Sequence, residues 1–288
     1  MIFKLQNIRS LATVSSLVMV FGALSACDAP SSDAASNVGG STLGISKDSH
    51  APRAKNWKTD LLVFNGTMTA TGDAAAVESI ADKNGWTYRE VTSEEMDALT
   101  PEQLTQFGTI VWPGGYAGSM SDSIQASTRQ KLRDAVNNSG VGFVGFCAGA
   151  FIAVSPAAKS GEAGPAWGLS IVDAATLDYY HLEDEGTDDA MVDVVFPNDQ
   201  HHQLVWWGGP KTPEYPGGVV ARYADSKDPA ISETWAGKGL MIISGPHPEA
   251  PQEWRDKLGL TDSDGLDQDI AAQMIASAMA GTPMPAMN

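Results

Sequence analysis

The stretch "GFCAGAFIA", residues 145–153, places one cysteine between small residues, where an apolar run meets a helix-like one. The preceding "VGFVGF", residues 141–146, has the length and composition of a buried strand. A nucleophile at a strand-to-helix turn adopts an unfavourable backbone conformation, so its neighbours must be small, as Ala148 and Gly149 are. The start of a helix also favours the thiolate. The stretch predicts that Cys147 is a nucleophile; the alternative is an inert core cysteine beside closely packed glycine and alanine.

The chain on both sides of this stretch alternates short apolar runs with amphipathic ones, which is typical of a parallel sheet covered by helices. Beyond residue 168 successive strand-like runs follow one another, which predicts an antiparallel extension of the sheet. The sequence therefore predicts an α/β fold. The predicted strands are 60–66, 86–91, 108–115, 141–146, 169–179, 190–196, 202–209, 219–224 and 237–245, and the predicted helical segments are 72–85, 93–107, 121–140 and 267–280.

A second stretch, "SGPHPE" at residues 244–249, follows the last predicted core strand. Pro248 restricts His247 to extended geometry, and positions two apart in an extended chain project to the same side. Glu249 is thereby placed to orient the His247 imidazole and to stabilise its cation, as the partner of a cysteine nucleophile requires. The alternative is a proline-rich surface turn.

A third stretch, "WPGGYAGS" at residues 112–119, also follows a predicted strand. Glycines allow backbone N–H groups to approach a ligand closely, so Gly114 and Gly115, together with the N–H of Ala148, are predicted to bind substrate and stabilise an oxyanion. The alternative is an ordinary glycine turn. In a doubly wound sheet all three stretches lie at the carboxyl ends of strands, where ligands bind.

The motifs "WPGG", "GFCAGAF" and "GPHPE", in this order, resemble the class I glutamine amidotransferase-like superfamily. Together with the segments "VWWGGP", "VVARYAD" and "GKGLMIISGPHPE", residues 60–249 are similar to the domain at the N-terminus of eukaryotic biotin-protein ligases and to bacterial stand-alone proteins. The resemblance implies a flavodoxin-like doubly wound sheet, mostly parallel with an antiparallel extension, over residues 57–288. It also implies a catalytic triad of Cys147, His247 and Glu249.

The N-terminal segment resembles a bacterial lipoprotein export signal. Residues 1–26 have a basic start and an apolar middle, and "LSAC" resembles a lipobox that ends at Cys27. We expect Cys27 to bear lipid and residues 27–56, which are rich in Ser, Ala and Gly, to form a flexible linker. This predicts attachment to the cell envelope, on the periplasmic or outer face. The alternative is ordinary secretion with cleavage near Ala26.

The formal charge of −17 and the pI near 4.5 oppose binding to nucleic acid. We expect no cofactor and no metal: His201 and His202 are adjacent, so they point to opposite faces of an extended chain. His181 lies in an acidic run that is typical of a solvated loop. Of Trp206 and Trp207, one is a candidate for the pocket wall and the other for the core.

These features predict a cysteine-dependent hydrolase or acyl transferase whose substrate is a small-molecule or peptide amide. Glutaminases of the resembling superfamily commonly have glutamine four residues after the nucleophile, where this chain has Phe151. Two alternatives stay open: a non-catalytic lipoprotein that binds a ligand or a protein partner through the same pocket, and a glutaminase that supplies ammonia to a separate synthetase.

Overall fold

The computed structural model describes residues 50, 53–156, 168–172 and 177–287. The predicted signal segment 1–26, Cys27 and most of the predicted linker lie outside the described residues. The strands are β1 (Thr59–Phe64), β2 (Tyr88–Val91), β3 (Phe107–Trp112), β4 (Gly142–Phe146), β5 (Ala190–Phe196), β6 (Gln200–Trp206), β7 (Val219–Tyr223), β8 (Pro229–Ala236) and β9 (Gly239–Ser244). The helices are α1 (Asp73–Asn84), α2 (Ser93–Ala98), α3 (Pro101–Leu104), α4 (Ala117–Asp122), α5 (Ala126–Ser139), α6 (Ala148–Val154), α7 (Gln252–Leu258) and α8 (Gln268–Ala280).

One half of the sheet is parallel. Strands β2, β1, β3, β4 and β9 lie side by side in that order, and every neighbouring pair among them is parallel. This is the 2-1-3-4-5 order of flavodoxin-like doubly wound folds, with β9 as the fifth strand. The order places the ends of β3, β4 and β9 next to one another at the carboxyl edge of the sheet.

Apolar residues cover both faces of these strands because helices pack on each face. Within β1 the face alternates with each residue: Leu61 belongs to the apolar cluster that includes residues of α1 and α8, whereas Leu62 belongs to the cluster that includes residues of α5 and α6. All six residues of β3 are buried. The continuous apolar runs that predicted these strands therefore reflect two-sided burial.

The other half of the sheet is antiparallel and continues from β9 through β8, β7, β5 and β6. The predicted α/β fold, with a flavodoxin-like sheet and an antiparallel extension, is confirmed. At the far edge, β6 contacts the segment that follows β9: the N–H of His247 donates to the carbonyl of Val205 at 2.7 Å. The extension thus returns to the carboxyl end of β9.

Three elements were missed by the sequence-based assignment, and one predicted element was wrong. Strand β8 and helix α7 were not predicted, and helix α4 shares only its last two residues with the predicted helical segment 121–140. The predicted strand 169–179 is wrong over its described residues, which contain no strand. Leu169 and Ile171 are buried, but their N–H groups donate to carbonyls of Ile152 and Ala153 in α6 instead of to a neighbouring strand. Burial against a helix produced an apolar pattern like that of a strand. Within the described residues, no helix is long and apolar enough to span a membrane.

Candidate functional site

Cys147 occupies the turn between β4 and α6 in a strained backbone conformation, with φ 48° and ψ −105°. Residues other than glycine rarely adopt this backbone conformation. Its cost in free energy is tolerated where the surrounding structure holds the residue in place. Here the N–H of Cys147 donates to the carbonyl of Ser244, at the end of β9, at 2.8 Å. The side chain is 5% exposed and lines a cavity. The structure therefore places the thiol at the turn that the sequence predicted.

His247 and Glu249 lie beyond the end of β9 and are almost fully buried, with exposed fractions of 3% and 0%. The extended geometry predicted for this segment is wrong beyond His247, because Pro248 and Glu249 form a turn in which the Ala250 N–H donates to the His247 carbonyl at 3.2 Å. His247 Nδ1 and Glu249 Oε1 are 2.8 Å apart, so Nδ1–H donates to the carboxylate. This orientation leaves Nε2 to face Cys147. The ring of Trp254 in α7 packs edge-on against the imidazole at 5.5 Å and fixes its plane.

The charge state of His247 depends on its two partners. Burial by itself lowers the pKa of His247, but the negative charges of Glu249 and Cys147, and its hydrogen bonds to both side chains, outweigh burial and raise the pKa well above the ordinary value. The imidazolium form of His247 is therefore favoured next to Cys147. A cysteine nucleophile is activated by a cationic or basic group in this position.

The glycine turn after β3 forms another wall of the site. Gly115 pairs with Thr69 in an isolated bridge whose hydrogen bonds join Ala70 N–H to Gly114 C=O and Tyr116 N–H to Met68 C=O. These bonds leave the N–H of Gly115 outside the bridge. Ala148, the first residue of α6, has no acceptor for its N–H within that helix.

Both Gly115 and Ala148 line the cavity with Cys147. Gly114 differs, because its N–H donates to the carboxylate of Asp73. Its N–H is therefore engaged by the protein, whereas the N–H groups of Gly115 and Ala148 have no backbone acceptor among the described residues.

The antiparallel extension supplies the remaining wall. The carbonyl of Trp207 lies 3.5 Å from the Sγ of Cys147, which donates to it, and the Trp207 ring is 37% exposed. Trp206 is fully buried, with its Nε1 donating to the Gly209 carbonyl. Trp207 is thus the tryptophan of the pocket and Trp206 that of the core. The cavity has a volume of about 520 Å³ and is lined by Ala70, Asp73, Gly115, Tyr116, Ala117, Gly118, Ser119, Cys147, Ala148, Phe151, Leu177, Tyr179, Glu183, Trp207, Gly208 and His247.

Asp73 is a site residue that the sequence-based reasoning missed. It is the first residue of α1, immediately after the loop that follows β1, and its side chain is 2% exposed. Burial raises its pKa to about 7; the charge of Glu249 adds to this effect, whereas His247 and the Gly114 N–H oppose it. The sequence did contain a signal for Asp73: it follows β1, which is also a parallel strand, so its carboxyl end lies at the same edge of the sheet.

His181, His201 and His202, for which the sequence predicted no catalytic role, lie outside this cavity. His202 Nδ1 is 2.9 Å from Asp267, and His201 Nδ1 is 2.8 Å from Asp193. His181, predicted as part of a solvated loop, contacts Glu185 and Asp225, which raise its pKa. These histidines are each engaged by carboxylates away from Cys147.

Two groups of described residues have the spacing of metal ligands: Asp73, His247 and Glu249, and His202, Asp264 and Asp267. In the first, His247 and Glu249 are hydrogen-bonded to each other. In the second, Asp267 is also paired with the guanidinium of Arg255. We assign an ion to neither group.

The sequence matches no family model and no curated protein. Solved structures with a similar arrangement include a glutamine amidotransferase (19% identity, 69% of this chain and 97% of that chain, TM-score 0.45). They also include a proposed GMP synthase subunit from Thermoplasma acidophilum (13% identity, 76% and 96%, TM-score 0.46). A third is a glutamine amido transferase from Methylobacillus flagellatus (13% identity, 81% and 98%, TM-score 0.44).

Proposed function

We propose that this protein is a cysteine-dependent amide hydrolase or acyl transferase attached to the cell envelope through Cys27. The observation that supports the chemistry best is the convergence, in one cavity, of a strained Cys147 with a buried His247 whose Nδ1 is bonded to Glu249 at 2.8 Å. A nucleophile, a base and an orienting acid are the groups that acyl transfer needs.

In the proposed reaction the Cys147 thiolate attacks the carbonyl carbon of the amide. The N–H groups of Gly115 and Ala148 stabilise the oxyanion that forms. The His247 imidazolium then gives its proton to the leaving nitrogen, so the C–N bond breaks to release an amine and leave a thioester on Cys147. Water, deprotonated by His247, attacks the thioester and releases a carboxylic acid. The net reaction is amide plus water to carboxylic acid plus amine.

A direct test uses p-nitrophenyl acetate and a series of acyl p-nitroanilides on the full-length protein in detergent. We expect a burst of one equivalent of nitrophenol with the ester, and an acyl group on Cys147 in the intact mass, because the activated thiolate acylates faster than the thioester hydrolyses. Cys147→Ala should show neither. Acylation that persists unchanged in His247→Gln would contradict the proposed mechanism.

The pocket also supports a second candidate function, which is ligand binding without turnover. Phe151 lines the cavity where resembling glutaminases have glutamine, and its ring contacts that of Tyr179 at a centroid distance of 4.9 Å. Aromatic side chains of this kind bind apolar or planar groups. Ligand binding that is retained in Cys147→Ser, with no acyl adduct from any donor, would favour this function. Release of ammonia from glutamine would instead restore the glutaminase hypothesis.

The proposed anchor predicts that the protein partitions into the detergent phase of Triton X-114 and incorporates labelled palmitate in bacterial cells. Cys27→Ser should lose both properties, because it removes the sulfur that would bear the lipid. Cys147→Ser is the matched control, since it removes the other of the two cysteines. Equal palmitate labelling of wild type and Cys27→Ser would exclude the anchor.

A further inference from the structure

Asp73 lies next to the candidate triad but comes from a different part of the chain than Glu249. Asp73 begins α1, whereas His247 and Glu249 follow β9. One carboxylate oxygen of Asp73, one ring nitrogen of His247 and one carboxylate oxygen of Glu249 all lie within 4.8 Å of one another. Two carboxyl groups therefore lie close to a single imidazole.

A glycine permits this approach. A Cβ on Gly114 would lie 2.4 Å from Asp73 Oδ2 and 2.7 Å from His247 Cε1, and real Cβ atoms do not make such contacts. The backbone of the turn after β3 thus passes directly over the Asp73 and His247 side chains. The small residue at 114 is required by the side-chain cluster as well as by the turn.

The hydrogen bonds of Asp73 are incomplete within the described residues. The carboxylate accepts from the Gly114 N–H, but Oδ2 is buried and has no partner there. An ionised oxygen in this position loses its hydration without compensation, whereas a protonated carboxyl buries no charge. The second carboxylate, Glu249, is already paired with His247 Nδ1. Two ionised carboxylates against one imidazolium would leave a net negative charge in the buried cluster.

We propose that Asp73 is a positioning residue of this site, which acts through His247 and which, when it ionises, makes the pocket selective against negatively charged ligands. As a neutral acid it leaves Glu249 as the only charged partner of the imidazole. As an anion it holds the imidazolium proton more tightly and adds a negative charge to the wall beside Cys147. The raised pKa of Asp73, about 7, places this change in the neutral range.

The surroundings support selection by charge. The groups whose charges act on Asp73 are His247 and Glu249. Cys147 and the exposed Glu183 line the same cavity, and its described lining contains no Lys or Arg to neutralise an added carboxylate. A ligand with its own negative charge is therefore repelled once Asp73 ionises, whereas a neutral amide is not.

The test compares two alkylating agents of similar size, neutral iodoacetamide and anionic iodoacetate. It uses the full-length Cys27→Ser protein, in which Cys147 is the only cysteine. We expect the ratio of the iodoacetamide rate to the iodoacetate rate to rise by about tenfold as the pH passes through about 7, because the ionised carboxylate repels the anion. Asp73→Asn, which keeps the shape and cannot ionise, should remove this step while its thiol stays reactive.

Glu183→Gln is the matched control, because it removes the other carboxyl group of the cavity wall, which is exposed. It should lower the ratio across the measured pH range, because it removes a carboxyl group from the wall, and it should leave the step near neutral pH in place. Asp73→Ser, which also cannot ionise, replaces Asp73→Asn if that variant does not fold. Two results would overturn the proposal. One is a wild-type rate ratio that does not rise near neutral pH, and the other is the same rise in a folded Asp73→Asn or Asp73→Ser variant.

This inference uses the proposed function only for the pairing of His247 with Cys147, and its test needs no substrate. Failure to find turnover would leave the two alkylation rates measurable. Conversely, turnover together with an unchanged ratio in Asp73→Asn would retain the enzyme and exclude Asp73 from its control. The two proposals can therefore fail separately.

Discussion

Replacing His247 with glutamine in the Cys27→Ser protein is expected to slow alkylation of Cys147 by iodoacetamide about 100-fold at about pH 6. A thiol without a charged partner has a pKa of about 8.5, so well under about 1% of it is thiolate at that pH. The charges of Glu249 and Cys147 raise the pKa of His247, so the wild-type imidazolium persists through neutral pH and stabilises the thiolate. The difference should shrink as pH rises, because the thiol of the variant then ionises without a charged partner.

The matched control is His202→Gln, which removes a histidine that is paired with Asp267 and lies outside the cavity. Its alkylation profile should coincide with that of the parent protein. Glu249→Gln should fall between the two, because an amide still accepts from Nδ1–H but no longer stabilises the imidazolium charge. If alkylation of His247→Gln matched the parent protein at every pH, Cys147 would not be activated by His247.

Replacing Gly149 with alanine is expected to destabilise the protein by about 3 kcal/mol or more, although alanine is the better helix former. A Cβ at position 149 would lie 2.0 Å from the carbonyl oxygen of Trp112, a backbone atom at the end of β3. Relief of this contact requires α6 to move away from β3, which separates Cys147 from the Gly115 turn. The free energy of unfolding in urea measures the effect, and cysteine reactivity reports the displacement.

Gly85→Ala provides the comparison for this second prediction. Gly85 has a φ of 68° and no atom within 4 Å of its hypothetical Cβ, so its substitution measures backbone strain alone. We expect a loss of about 1 kcal/mol there. A Gly149→Ala protein as stable as the wild type would mean that α6 and β3 do not approach each other so closely.

The sequence predicted the parallel strands well because their burial pattern is local and continuous. Strand β4 was predicted at residues 141–146 and spans Gly142–Phe146, every residue of which is buried. Strand β8 was missed because its pattern is mixed: Glu233 and Thr234 are buried polar residues within it. Whether a polar side chain is buried depends on distant partners, such as the Met284 N–H that donates to Glu233. The local pattern of apolar and polar residues gives no information about such partners.

The sequence by itself determined three features of the candidate site: the cysteine between small residues at a strand-to-helix turn, the placement of Glu249 two residues after His247, and the glycine turn that follows β3. Each depends on the conformation of a few adjacent residues. The tertiary structure alone decided that Asp73 joins them, that Gly114 faces Asp73, and that Trp207 closes the cavity while Trp206 enters the core. These outcomes follow from how separate strands end at one edge of the sheet and how the antiparallel extension returns to it. Charge and burial at a site depend on distances between segments, and the order of residues along the chain does not specify those distances.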